Sequence, residues 1–264
     1  MTLRRWIADE FSSDCAALTG AHAAHLARTL RARVGQEFEV ACGDQVRLAT
    51  VSSVNEDRVE FTLGKEITSR DVVPITLLLA IFKFDRMEWA IEKCTELNAT
   101  KIVPVIARRT EKHLALAADK RVERWRRIAR EASEQSRRIA PPAIDDLRKL
   151  KDALLQIEGD ADNSTVIPTE GFRPSGGICG SSDGVLNIVL AETERTSTLT
   201  DILRDHNPLQ SLALAIGPEG GWTDDELQLF TNSHCLAASL GNTILRAETA
   251  AIAALAIARA LADG

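Results

Sequence analysis

Four short stretches, PITLLLAIF from Pro74, KIVPVIA from Lys101, LNIVLA from Leu186 and SLALAIG from Ser211, are apolar without the alternation of a half-exposed strand. A short run that is apolar on both faces belongs to a strand covered on each side, the condition of a parallel sheet between helices. Helical patterns lie between these runs. Met87, Ala90, Ile91, Cys94 and Leu97 keep helical period after Asp85 and Glu88, which read as an N-cap signature. Val122, Trp125, Ile128 and Ala132 form the stripe of a long helix that begins at Asp119 and is stopped by Pro141-Pro142. Strand alternating with helix implies an α/β domain, with HCLAASLG as a further strand. Pro104 has no N–H to give a ladder, so KIVPVIA reads as an edge strand or one with a bulge.

The chain before Pro74 follows a different rule. EFEVACG, QVRLATVSSV and RVEFTL are short, partly alternating segments separated by Gly43-Asp44 and Asn55-Glu56-Asp57, the pattern of antiparallel strands joined by tight turns. AHAAHLARTLRARVG ahead of them has helical spacing, with Leu26 and Leu30 on one side, Arg28 and Arg31 at i,i+3, and Gly35 placed to end it. The division is therefore a β-rich module over residues 1–72 and an α/β domain over 73–264. His22 and His25 share a helical face but have no third ligand in sequence, so no metal is expected.

At 264 residues, 27% charged and 45% hydrophobic, the chain has the composition of a globular protein with room for a sizeable core. No apolar run reaches the roughly 18 residues of a membrane span, and MTLRRWIADEF lacks the apolar centre of a signal peptide. Both features point to a cytoplasmic protein with no membrane partner. Five scattered cysteines, Cys15, Cys42, Cys94, Cys179 and Cys235, form no CxxC pair and read as small buried hydrophobes in a reducing compartment. The net charge of −6 hides an asymmetry: residues 83–138 carry 15 Lys+Arg against 9 Asp+Glu, and residues 139–264 carry 8 against 18. Such a basic segment is either a phosphate-binding surface or a solvated face laced with i,i+4 pairs, here Glu123 with Arg127, Arg127 with Glu131 and Glu134 with Arg138.

LALAIGPEGGWTDDE sends an apolar strand into Gly217-Pro218-Glu219-Gly220-Gly221. The loop fits neither GxGxxG nor a P-loop, and Glu219 repels phosphate. Glycines there bring main-chain amides and carbonyls close to a ligand that is not strongly anionic. The same residues also make a strand-to-helix turn, with Thr223 as N-cap and Glu226 completing a capping box. SLGNTILRAETAAIAALAIARAL repeats the design, passing Gly241 and Ile244-Leu245-Arg246 into a helix with almost no charge before Arg259, which reads as buried. Arg246 adjoins the positive end of that helix dipole, an unfavourable place for a cation unless it meets an anion or a developing charge.

AIGPEGGWTDDE and SLGNTILRAETAA resemble the two signature motifs of the RsmE-like uracil-N3 methyltransferases of small-subunit (16S) ribosomal RNA, members of the SPOUT class. DRMEWAIEKCTELNATKIVPV, RWRRIAREASEQSRR and HAAHLARTLRARVGQEFEV extend the resemblance over nearly the whole chain. It implies a PUA-like RNA-binding β-barrel followed by a trefoil-knotted α/β methyltransferase domain, and a homodimer with its site near the subunit interface. It also implies that S-adenosylmethionine lies among three knot loops, here Leu190-Ala191-Glu192, Ile216-Gly217-Pro218-Glu219-Gly220-Gly221, and Leu240 to Arg246 with Gly241, Ile244 and Leu245. Thr243 stands where many relatives carry arginine, Asn163 to Gly184 is longer than usual, and the chain has no tyrosine to serve as a phenol.

Methyl transfer to uracil N3 requires loss of the N3 proton, hence a base or a stabiliser of the developing anion. Arg246 is the candidate stabiliser, and Glu248 the candidate base or the group that orients Arg246; either residue could also be structural, since a carboxylate in a first helical turn is favourable by about 0.3 to 1 kcal/mol. Arg28, Arg31, Arg124 and Arg127 are the candidate contacts to 16S rRNA or the small ribosomal subunit. Two rivals share these motifs in part: a methyltransferase for another RNA position such as a ribose 2'-hydroxyl, and a non-catalytic RNA-binding relative.

Overall fold

The computed structural model describes residues 5–43, 45–67, 72–162 and 185–262, and the chain folds as two compact units, Met1–Asp71 with Arg127–Pro141 and Val72–Arg126 with Pro142–Gly264. Asp44, Cys179 and the stretch from Asn163 to Gly184 lie outside the described residues.

The first unit is built on β1 (Arg5–Ile7), β2 (Glu10–Phe11), β3 (Cys15–Thr19), β4 (Glu37–Cys42), β5 (Gln45–Val54) and β6 (Arg58–Ile67), ordered β1-β4-β5-β6-β3-β2. Ladders β4-β5 and β5-β6 are antiparallel, as the alternating segments require. The two edges of the sheet belong to strands only two residues apart in sequence. Ala8 N donates to Ala41 O on one edge (2.9 Å) and Asp9 N donates to Ala17 O on the other (2.9 Å), so the sheet curls until its ends meet. Inside lie Trp6, Leu18, Leu26, Val40, Val59 and Phe61, with Phe38 edge-on to Phe61 at 6.3 Å.

The predicted helix before β4 is shorter and less regular than its spacing implies. It is α1 (Gly20–Ala24) continued by one π-turn, His25–Thr29. The wider π-turn moves Leu30 off the buried line of Leu26, leaving it 40% exposed, and the helix ends where Arg31 turns left-handed (φ 52°), ahead of Gly35. His22 lies within reach of two carboxylates, Asp9 (3.9 Å) and Glu134 (3.7 Å), and His25 tilts against Trp6. Among the described residues no group of metal-ligating side chains gathers.

The second unit carries an all-parallel sheet: β7 (Ile75–Ala80), β8 (Lys101–Ile106), β9 (Ala143–Ile144), β10 (Arg148–Lys149), β11 (Val185–Leu190), β12 (Ser211–Ile216) and β13 (Leu236–Ala238). The main path runs β10-β8-β7-β12-β11-β13, with β9 on β8. The four apolar runs are its four long strands. β8 is not an edge; β9 pairs with Lys101 and Ile102, β10 with Val105 and Ile106, and the gap between them falls at Val103 and Pro104, where proline has no N–H to donate.

Helices are α2 (Phe84–Glu96), α3 (Lys112–Ala118), α4 (Val122–Gln135), α5 (Leu150–Asp162), α6 (Leu199–Asp205), α7 (Asp224–Asn232) and α8 (Ala247–Ala262). Met87, Ala90, Ile91 and Cys94 are buried on α2 as their spacing predicts, but Lys83 occupies its N-cap position and Asp85 only its first turn. Asp119–Arg121 form a 3-10 turn, so α4 begins at Val122 and stops at Gln135, short of the prolines. α8 buries Ala247, Glu248, Ala251, Ala254, Leu255 and Ala258 but exposes Thr249, Ala256 and Ala260, so its uncharged sequence covers one buried face and one open one. Cys42 and Cys94 are buried, Cys235 is half-buried and Cys15 is exposed, which corrects the uniform expectation for the cysteines. Burial pushes the thiols of Cys94 and Cys235 up to about 12.

Candidate active site

Because every strand of the second sheet is parallel, the loops leaving β7, β8, β11, β12 and β13 emerge at one edge. Register brings them to one level: Val189 pairs with both Ala215 and Ala237, and Leu79 pairs with both Ile216 and Pro104. Strand β11 sits between β12 and β13, so the three loops predicted to hold a ligand, after Leu190, Ile216 and Ala238, leave three adjacent strands. Such an edge is the usual ligand site of an open α/β sheet.

The first loop is tied to the third. Ala191 N donates to Ala238 O (3.0 Å), Ser239 N to Ser197 O (2.9 Å) and Leu199 N to Ser239 O (2.9 Å). Glu194 fastens the loop internally, accepting from Thr196 Oγ1 (2.6 Å), Thr196 N (2.6 Å) and Ser197 N (3.0 Å). Those bonds favour the ionised form and lower its carboxyl to about 2, the Thr196 hydroxyl contributing most. Leu190 is half-buried, Ala191 buried and Glu192 exposed.

The Gly217–Gly221 loop is a turn closed by Gly221 N to Pro218 O at 2.8 Å, and Gly221 takes φ 68°, a left-handed conformation that disfavours any side chain. A Cβ on Gly220 would lie 3.3 Å from Arg109 Cβ and Cδ, and one on Gly221 would lie 3.9 Å from both Arg109 Nη1 and Glu192 Oε2. Ile216 and Pro218 are buried, Gly217 is half-buried and Glu219 exposed. Thr223 and Glu226 form the expected capping box of α7. Glu226, 3% exposed, has a partner that local sequence does not show: its Oε1 accepts from the N–H of Arg108 (2.7 Å).

In the third loop Leu240 and Leu245 are half-buried, while Gly241, Thr243, Ile244 and Arg246 are exposed, Ile244 at 79%. Arg246 O accepts from Ala250 N (2.8 Å), which makes Arg246 the N-cap residue of α8, at the positive end of the helix, as the sequence implied. Glu248, two residues on, is buried; Arg86 Nε lies 3.7 Å from its Oε1, and its Oε2 has no hydrogen-bond partner among the described residues.

The RNA candidates separate. Arg124 is clamped by Glu88 through two bonds of 2.6 and 2.8 Å, and Arg28 pairs with Glu56 at 2.6 Å. Arg127 meets Glu131 only at 3.8 Å, both about two-thirds exposed, and Arg31 is exposed. An exposed pair of that kind contributes about 0 to 1 kcal/mol, so Arg127 keeps its charge available. Glu123 binds Arg126 in place of Arg127, and Glu134 meets Arg130 and His22.

Residues 69–259 match the family model described as an RNA methyltransferase domain. The chain is 30% identical over 250 residues to Ribosomal RNA small subunit methyltransferase E of Rickettsia conorii, covering 92% of this chain and 89% of that one. It is also 30% identical over 242 residues to the Bacillus subtilis protein of that name, covering 90% and 87%. The chain belongs to the ribosomal RNA small subunit methyltransferase E family. Its fold superposes on the Neisseria gonorrhoeae family member solved bound to S-adenosyl methionine with a TM-score of 0.77, 28% identity and 98% of each chain covered.

Against the family motifs, the sequence reading missed three residues at this edge: Arg86, Arg108 and Arg109. Arg86 lies inside a stretch that carries the resemblance, but its pairing with Glu248 joins residues far apart in sequence. Arg108 and Arg109 follow β8 after Ala107; a basic pair just past the carboxyl end of a parallel strand was the available signal.

Proposed function

We propose that the chain methylates N3 of a uridine in 16S rRNA of the small ribosomal subunit, using S-adenosylmethionine. The observation that carries this reading is the convergence of three loops from adjacent parallel strands, one of them glycine-rich and lacking any cation. Glu192 and Glu219 are exposed there, carboxylate acceptors suited to a ligand with a sulfonium and an ammonium and unsuited to a phosphate. Leu190 to Glu192, Ile216 to Gly221 and Leu240, Gly241, Ile244 and Leu245 would hold it. When bound, S-adenosylmethionine supplies an electrophilic methyl group.

The chain's own residues then have to bring the uracil edge into line and accept charge as N3 loses its proton. Arg246, exposed at the mouth of α8, is the stabiliser of that charge. Glu248, with one oxygen free of partners among the described residues, is the acceptor for the proton or the group that orients the arginines beside it.

Residues 1–72 are read as a PUA-like RNA-binding barrel, a reading supported by the curled sheet, and residues 73–264 as a knotted SPOUT domain. Support for the knot is the loop from Ala191 to Leu199, hydrogen-bonded to both sides of Ser239 just before the chain enters its last loop. Support for a homodimer is the open apolar stripe of α8 through Ile252, Ala253, Ala256, Ile257 and Ala260. Arg31 and Arg127, with Arg28 and Arg124, are the proposed RNA contacts. Among the described residues no helix is long and apolar enough to cross a membrane. The proposed ribosomal substrate is what supports reading the activity as cytoplasmic.

The test is methylation of small subunits lacking the modification with labelled S-adenosylmethionine, followed by mapping of the methylated base. Label at a uracil N3 is the expected result. Label at a ribose hydroxyl, or none with a protein that binds cofactor, overturns it.

A further inference from the structure

In the segment Ala107 to Thr110 after β8, three consecutive residues, Arg108, Arg109 and Thr110, each hold a different part of the site edge, and Ala107 braces Thr110. Ala107 N donates to Thr110 Oγ1 (3.2 Å), and that hydroxyl donates to Ile81 O at the end of β7 (3.2 Å). Arg108 N donates to Glu226 at the head of α7 (2.7 Å). Arg109 Nη1 donates to Gly220 O (2.6 Å) and Trp222 O (3.2 Å).

The last two bonds fall on peptide units whose other ends are already engaged. Gly221 N, which shares a peptide plane with Gly220 O, donates to Pro218 O (2.8 Å). Thr223 N, which shares one with Trp222 O, donates to Glu226 Oε2 (2.9 Å). A trans peptide is rigid and directs its N–H and C=O oppositely, so fixing both ends removes its rotational freedom. Arg109 supplies the second fixed end for two planes, Gly220-Gly221 inside the glycine turn and Trp222-Thr223 where the chain leaves it for α7. Glycine needs this most, because without a Cβ it samples both signs of φ. The methylene stem of Arg109 also fills the space beside Gly220, where a Cβ would come within 3.3 Å of it. Among the described residues the N–H groups of Glu219 and Gly220 make no hydrogen bond, and they belong to the part of the turn left over for a ligand.

We infer that Arg109 is a positioning residue for cofactor recognition: it holds the Gly217–Gly221 turn in its binding shape through two main-chain carbonyls, Gly220 O within the turn and Trp222 O at its exit. The inference rests on reading that turn as part of the S-adenosylmethionine site. It assigns Arg109 no contact with RNA and no part in the chemistry.

The experiment titrates S-adenosylmethionine into the wild-type chain, Arg109→Ala and Arg109→Lys by calorimetry, beside steady-state methylation of small subunits. Arg109→Ala should raise Kd and the KM for S-adenosylmethionine at least 10-fold. Turnover at saturating cofactor and the KM for RNA should stay within twofold of wild type. Arg109→Lys, whose ammonium keeps the charge and N–H donors but sits on a shorter side chain without the planar guanidinium, should fall between the two. Thermal unfolding should show all three proteins folded, since Arg109 is exposed. Wild-type Kd in a folded Arg109→Ala protein overturns the inference, as does a fall in turnover with KM unchanged. Absence of binding by the wild-type chain instead overturns the reading of the turn as a cofactor loop.

Discussion

Glu226→Ala removes three hydrogen bonds at one stroke: those from Arg108 N, Thr223 N and Thr223 Oγ1. Losing the reciprocal cap should cost about 1 kcal/mol. The Arg108 N–H, donated across 118 residues of sequence, loses a charged acceptor in a part-buried place, at about 1.5 kcal/mol, the low end for a hydrogen bond to a charged group. A carboxylate also leaves the first turn of α7, worth about 0.3 to 1 kcal/mol. Together these give about 3 kcal/mol, or a fall in Tm of roughly 6 to 12 °C for a chain of this size. Urea and thermal unfolding of wild type, Glu226→Ala, Thr223→Ala and the double variant, followed by circular dichroism, would measure it. Thr223 and Glu226 share bonds, so the double variant should lose less than the sum of the singles, by about 0.5 kcal/mol or more. A loss below about 1 kcal/mol for Glu226→Ala would refute the reasoning, because the Arg108 bond would then contribute nothing beyond a local cap.

Arg246→Ala relieves a small dipole penalty and should leave the fold no less stable, yet lower single-turnover methylation by about 100-fold, near 2.7 kcal/mol, with cofactor affinity little changed; near-normal turnover removes Arg246 from the mechanism. Arg31→Glu with Arg127→Glu should weaken RNA binding and flatten its salt dependence, whereas binding and salt slope that both stay put would mark these arginines as a solvated face. Glu194, its carboxyl lowered from 4.5 to about 2, contributes its hold on the Ala191–Leu199 loop fully above about pH 4.5 and loses it as pH falls toward 2. Pepsin should therefore reach that loop only at the acid end of this range in wild type but throughout it in Glu194→Gln, and identical cleavage of the two proteins would refute the assignment.

What the sequence determined by itself is what short-range bonds and periodicity determine. Both-faced apolar runs gave the long parallel strands, because a strand covered on each side cannot carry alternating polar residues. The Thr223/Glu226 capping box was legible because both partners lie within one helical turn. Local rules failed where a long-range partner outbid them. Glu88 binds Arg124 and so takes no part in a cap with Asp85, and a π-turn carries Leu30 away from the core that Leu26 enters. Residues Arg127–Pro141 belong to the compact unit of the N-terminal module, although α4 continues from the α/β domain without any break in composition. Arg259, the lone charge near the end of an apolar helix, is buried because its guanidinium reaches the carbonyls of Val73 (2.6 Å) and Asn98. At the site, glycines and signature motifs marked the ligand loops, but their anchors, Arg108, Arg109 and Arg86, were set by tertiary structure alone. Each binds a residue more than a hundred positions away, and only the closing of the sheet brings those ends of the chain within hydrogen-bonding or ion-pair distance.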